Sequence, residues 1–171
     1  MDTGPFLLEL YGRIPPLASE AVERLTADEL AWEPAPGANS VGWLVWHLTR
    51  VLDHHVAELV DEPQIWATGT WAQRCGLEPD PSNTGYGHDP DEVRAVRPDG
   101  PDALLGYLRE VDSRTSRFLE TVTAKDLDRV VDRRWDPPVT LGVHLVSIAD
   151  DCIQHAGQAA YVRGLMERGP S

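Results

Sequence analysis

Three side chains in this sequence stand at spacings that could hold a metal ion. Asp151 and His155 lie four positions apart in a segment of helical period, so both leave the same face of a helix. His47 lies in a second apolar helical segment, Val41-Gly-Trp-Leu-Val-Trp-His-Leu48. Nitrogen and oxygen donors from three residues, with coordination positions left open, are the pattern of a catalytic rather than a structural divalent-cation site. His47 is early in its helix and His155 late in its own, so antiparallel helices would bring the two level. A histidine on an apolar helix face is more often a packed or boundary residue, and spacing alone leaves that alternative open.

Other residues compete for the site or could support it. His54 follows His47 by seven positions, about 20° away around a helix, and His144, eleven before His155, falls similarly close to its face. Either is an alternative ligand or a partner behind one. The competing reading makes His54 and His55 boundary residues and has His144 cap or pack near the start of the last helix. Asp150 points about 100° away and reads as exposed, while Cys152 reads as buried filler. Gln158, three after His155, is placed to hydrogen-bond behind it. Arg163 is a candidate anchor for a carboxylate, or an end-of-helix cation favoured by the helix dipole. The chain has six Trp against two Phe. Trp46 is a candidate pocket wall, and Trp66 and Trp71 are candidates to fold over its mouth. Trp32 and Trp43 read as packing beneath the first connection, and Tyr161 as core with a polar tip.

Those residues need long helices to position them. Leu7, Leu8, Leu10, Ile14, Leu17, Ala21, Val22 and Leu25 recur at threes and fours, predicting a first helix that Pro15-Pro16 kinks or restarts. Asn39-Ser40 is an N-cap signal for a second helix over Val41–Val60. Residues 61–100 are rich in proline and glycine and read as a long excursion with one short helix around residues 65–75. A third helix is expected over Pro101–Val122. A fourth runs from about Thr140 to near Arg168-Gly169-Pro170. Val122-Thr-Ala-Lys-Asp-Leu127 echoes Leu25-Thr-Ala-Asp-Glu-Leu30, as an internally duplicated helix pair would. The expected fold is all-α, a four-helix bundle in one domain over residues 1–171, with the long loop at 61–100.

Composition narrows the partners. Lys+Arg 15 against Asp+Glu 28 gives a net charge of −13, which repels nucleic-acid phosphates and anionic membrane surfaces. There are two cysteines, Cys75 and Cys152, no basic-then-apolar leader, and no apolar run near the ~18 residues that span a bilayer. A soluble, reducing, cytoplasmic setting is expected, with neither nucleic acid nor membrane as partner.

Asn39-Ser-Val-Gly-Trp-Leu-Val-Trp-His-Leu48, Asp150-Asp-Cys-Ile-Gln-His-Ala-Gly-Gln158 and the closing Tyr161-Val-Arg-Gly164 together resemble the DinB-like superfamily. The nearest likeness is to its mycothiol-dependent branch, which includes maleylpyruvate isomerase and S-transferase-like members. It covers essentially the whole chain, with residues 61–100 the least typical. The resemblance implies an up-down-down-up four-helix bundle, often dimeric, with a divalent metal on three side chains of the second and fourth helices, here His47, Asp151 and His155. Many members have His-x3-His and the isomerase branch Glu-x3-His. Asp151 keeps an anionic oxygen on an arm one methylene shorter, so the metal sits closer to the fourth helix or is held less tightly. The isomerase carries a further C-terminal domain without counterpart in these residues, which speaks against that particular reaction. The resemblance implies a metal-dependent thiol transferase or isomerase acting on a small electrophile. Zinc is the expected ion and nickel the alternative, mycothiol is the expected thiol, and a homodimer the expected assembly. Trp46, Gln158 and Arg163 are the candidate substrate-binding residues. The alternative function is a non-catalytic metal-binding or stress-induced dimer, and a plain interaction bundle is the outcome if the three ligands fail to converge.

Overall fold

The computed structural model of the protein describes residues 2–169. The first amphipathic run forms two helices, α1 (Thr3–Tyr11) and α2 (Ile14–Val22). The break falls where expected: Pro15-Pro16 have no N–H to give to a continuing helix, and the first turn of a new one is where that loss is harmless. Thr26 then opens the short α3 (Ala27–Leu30) with a reciprocal cap, its hydroxyl accepting from the Glu29 N–H and the Glu29 carboxylate accepting from the Thr26 N–H. Ser40 accepts from the Trp43 N–H at 3.1 Å and starts α4, whose bounds, Val41–Val60, are those the sequence predicts.

Residues 61–100 hold more structure than the single short helix expected. They contain α5 (Ile65–Thr68), α6 (Trp71–Arg74) and α7 (Pro90–Ala95). Asp89 caps α7 by accepting from the Asp91 and Glu92 N–H groups, and Glu92 reciprocates. After α8 (Pro101–Thr121), Thr123 and Asp126 repeat one half of the Thr26–Glu29 cap, with the Thr123 N–H 2.8 Å from the Asp126 carboxylate. The echo between the two turns is therefore structural as well as textual. The second turn leads into different structure, a 3-10 turn over Asp126–Asp128 and then an antiparallel hairpin of β1 (Val130–Asp132) and β2 (Val139–Thr140). Strands this short leave no readable alternation, so the sequence predicts none. Thr140 caps α9 (Leu141–Arg168); Pro170, at its expected end, lies outside the described residues.

The core forms where the long helices meet. α4 packs against α9 and α8, α2 against α9, and α1 against α8. α4 and α9 run in opposite directions, since His47 meets His155 while His55 meets His144. Leu44, Leu48, Leu52 and Val56 of α4 and Leu145, Ile148, Cys152 and Ala156 of α9 are buried. Each fully buried Leu, Ile or Val contributes about 1.5–3 kcal/mol relative to exposure. On α8 the stripe Leu104, Leu108, Val111, Thr115 and Leu119 is buried as expected, whereas Leu105 and Phe118 are only partly so. Cys75 and Cys152 are free and buried. Among the described residues no helix is long and apolar enough to cross a membrane.

Two charges lie in this core. Arg50 and Asp53, both 0% exposed, approach to 3.5 Å. Asp53 accepts from the Tyr107 hydroxyl at 2.7 Å and from the backbone N–H groups of Ile65 and Trp66. Arg50 donates to Tyr107, to Gln64 Oε1 and to the backbone carbonyls of Pro81 and Asn83. Tyr107, three after Leu104 and four before Val111, lies on the buried stripe of α8. Together the pair fastens both ends of segment 64–83 to α4. Replacing Asp53 with Ala leaves a buried guanidinium without its partner and is expected to lower stability by about 3–5 kcal/mol, read as a shifted urea-unfolding midpoint.

Candidate metal centre

α4 and α9 bring His47, Asp151 and His155 together. One donor atom from each lies within 4.8 Å of the other two. The His47 and His155 rings meet edge to face at 4.7 Å, and His155 Nε2 is 3.6 Å from Asp151 Oδ1. His47 is 6% exposed, while the side chains of His155 and Asp151 are 19% and 37% exposed, so the cluster is open to solvent on the α9 side.

Hydrogen bonds fix which nitrogen each ring presents. His47 Nδ1 lies 2.6 Å from the Thr84 carbonyl oxygen, and His155 Nδ1 lies 2.8 Å from Gln158 Oε1. Both oxygens only accept, so both Nδ1 atoms carry a proton, which makes Nε2 the ligand atom of each ring when neutral. A second oxygen, Asp151 Oδ2, is buried and has no hydrogen-bond partner among the described residues. An unpartnered carboxylate oxygen is costly to bury. Two imidazole nitrogens and one carboxylate oxygen fit a zinc-type divalent cation, which would satisfy that oxygen.

The electrostatics are those of one carboxylate among imidazoles. Burial, above all, lowers the pKa of His47, against the pull of the Thr84 carbonyl. The Asp151 contact raises that of His155. For Asp151 itself burial pushes upward, but the contact with His155 and the charge of the rings outweigh it and the net shift is downward.

Segment 83–88 forms the roof over His47, and no motif in the sequence singled it out. Gly85 has φ +91, and a Cβ there would stand 2.7 Å from His47 Nδ1 and 2.8 Å from the Trp46 ring. Only glycine allows the backbone so close. The Trp43 ring stacks on His47 at 4.6 Å and 13°, and its Nε1–H donates to His88 Nδ1. His88 Nε2 meets Asn83 Oδ1 at 2.8 Å, which leaves neither nitrogen of His88 free. Gly85 and Gly87 beside His88 were the one available sequence signal, since a closely spaced glycine pair marks backbone that other residues cannot adopt.

Several expected placements change. Trp43 is part of the centre rather than plain packing. Trp66 is fully buried against Trp46 and under the Arg50 guanidinium, and Trp71 packs on Gly106 and donates to Glu110, so neither covers the centre. Trp46 is fully buried behind Gly85, and Trp32 is 36% exposed. Tyr161 is 68% exposed rather than core, because its side of α9 faces away from the other helices. Gln158 holds His155 as its spacing suggested. Arg163 lies about 12 Å along α9 from His155, where it donates to the carbonyls of Glu20 and Glu23 at the C-terminal end of α2 and pairs with Glu167. His54, His55 and His144 gather with one another, two turns away.

The sequence profile of the DinB superfamily matches residues 12–159, a span that includes all three members of the cluster and ends before Arg163. The chain belongs to the DinB superfamily. Its members commonly bind a divalent metal, and the cluster supplies ligands of the right kind. The crystal structure of a conserved protein from Enterococcus faecalis is similar over 99% of each chain, with 31% identity and a TM-score of 0.89. No curated protein sequence matches.

Gly85→Ala is expected to lower stability by about 1–3 kcal/mol through its left-handed backbone and to shift the His47 imidazole resonances. Gly87→Ala, whose Cβ would meet nothing within 4 Å, should leave those resonances in place. NMR of the two variants checks the pair.

Proposed function

We propose that this DinB-superfamily protein holds one divalent metal on His47, Asp151 and His155 and acts as a thiol-dependent transferase or isomerase on a small electrophile. The observation that carries the metal reading is the buried, unpartnered Asp151 Oδ2 in a cluster with two imidazoles whose Nδ1 atoms are engaged, which leaves Nε2 as the ligand atom of each. A divalent ion there supplies a Lewis acid able to keep a thiol ionised at neutral pH.

The chain's own residues prepare for that chemistry. Thr84 and Gln158 fix the two rings, as acceptors behind metal-binding histidines do. Asp151 offsets one of the two charges of the ion, which leaves a net positive centre that favours an anionic partner such as a thiolate. Gly85 and Trp43 close the His47 side, so approach is over Asp151 and His155. Of Trp46, Gln158 and Arg163, Gln158 is the one beside the centre.

Zinc fits a mixed nitrogen and oxygen donor set, with nickel the alternative. The family likeness supports mycothiol as the thiol. Helix pairing supports the up-down-down-up four-helix arrangement: Gly4 near Leu119 and Tyr11 bonded to Leu145 set α1 against α8 and along α9. Val143, Val146 and Tyr161, exposed on α9, support a homodimer. A second reading is a non-catalytic metal-binding dimer. It is favoured by His88, the further ring beside the centre, having both nitrogens engaged and so offering no proton relay.

Metal content of protein purified without chelator tests the centre: about one equivalent in the wild type and a loss of it in His47→Ala/His155→Ala. Equal content in both overturns the assignment. Gln158→Leu should weaken the ion's affinity about 10–100-fold without moving the unfolding midpoint, read by competition with a chromophoric chelator. Metal-dependent transfer of a thiol to a generic electrophile, lost in the double variant, separates the enzyme from the non-catalytic reading.

A further inference from the structure

The seam between α4 and α9 carries a second histidine cluster. His54 lies seven residues beyond His47 and His144 seven before Asp151, about 10 Å along the helices from the first centre. Donor atoms of His54, His55 and Glu58 fall within 4.8 Å of one another. The Glu58 carboxylate is 3.6 Å from His54 Nε2 and 3.9 Å from His55 Nδ1. Ligands about 2.0–2.1 Å from a tetrahedral ion stand about 3.4 Å apart, so small side-chain movements would close the set. His55 Nδ1 is buried with no hydrogen-bond partner among the described residues. The His144 ring meets His55 edge to face at 4.8 Å. Arg134, the cation of the neighbouring hairpin, is held by Asp132 at 2.9 Å, which offsets its charge.

We propose that His54, His55 and Glu58, with His144 beside them, form a second divalent-cation site, weaker than the first. The weakness has a specific cause behind His54. Arg50 donates to Gln64 Oε1 at 2.9 Å, which turns the Gln64 amide nitrogen toward His54 Nδ1 at 3.0 Å. That amide donates, so His54 Nδ1 accepts and its proton sits on Nε2, the atom that faces Glu58. A cation requires the Nε2 lone pair, so His54 must take its other tautomer and give up the Gln64 contact. At the first centre both rings have acceptors behind them, and no such exchange is needed. Burial, followed by the neighbouring His144 and His54, lowers the His55 pKa to about 4, so this ring is neutral at pH 7.

Gln64→Glu removes the obstacle, because a carboxylate accepts from both Arg50 and a His54 Nδ1–H. The test is titration of the full chain with zinc against a chromophoric chelator. Expected are two equivalents of unequal affinity in the wild type, the weaker alone in His47→Ala/His155→Ala, and the tighter alone in His54→Gln/Glu58→Gln. Gln64→Glu should tighten the weaker site about 10–100-fold. A single equivalent in the wild type with none in His47→Ala/His155→Ala overturns the second site, as does unchanged binding in His54→Gln/Glu58→Gln or in Gln64→Glu. Failure of the first centre instead appears as unchanged binding in His47→Ala/His155→Ala, so the two assignments fail separately.

Discussion

Arg50 and Asp53 are one turn apart on α4, and both are removed from water. Burying two charges is unfavourable unless the geometry is good and the remaining donors and acceptors are met. Here they are met from outside the helix: Asp53 gathers the start of α5 and the Tyr107 hydroxyl, and Arg50 gathers Gln64 and the carbonyls of Pro81 and Asn83. The pair thus turns the connection from α4 to α8 into a strap with two fastenings. Thr84 follows Asn83 directly, so the second fastening places the carbonyl that orients His47. A requirement of charge burial on one helix becomes ring orientation one turn earlier on the same helix.

The two histidine clusters on the α4/α9 seam show how little distinguishes a prepared ligand from an unprepared one. His47 and His155 have oxygen behind Nδ1, whereas His54 has the nitrogen of Gln64. Gln64 faces that way because Arg50 holds its oxygen. The same guanidinium therefore supports one centre through Asn83 and weakens the other through Gln64.

Much of the helical framework is legible in the sequence, because hydrophobic period and capping residues are local: Ser40, Thr26 with Glu29, and Pro15-Pro16 each mark a real boundary. The Asp151 and His155 pair is legible for the same reason, since spacing on one helix decides it. The roof over His47 is not. Thr84 contributes a backbone carbonyl, which has no residue signature, and Trp43 turns toward His47 only because His88 arrives from forty-five positions away to accept its indole proton. Trp66 and Trp71, in the same excursion, look equally suited to cover a pocket. Packing against Trp46, Arg50 and Gly106 takes them into the body of the protein instead. The short hairpin escapes for want of length, and Arg163 is drawn to carbonyls at the end of α2 that no linear reading places near it.

The strap is gripped largely by its main chain. Arg50 takes the carbonyls of Pro81 and Asn83, His47 takes that of Thr84, and Asp53 takes the N–H groups of Ile65 and Trp66. Main-chain groups are the same whatever side chain they carry. The almost fully exposed Tyr86 side chain of the roof is free to be exchanged without loosening it, while Gly85 before it is not. The protein thus has a replaceable outer surface mounted over a fixed floor, and that surface can be rewritten without disturbing the residues beneath.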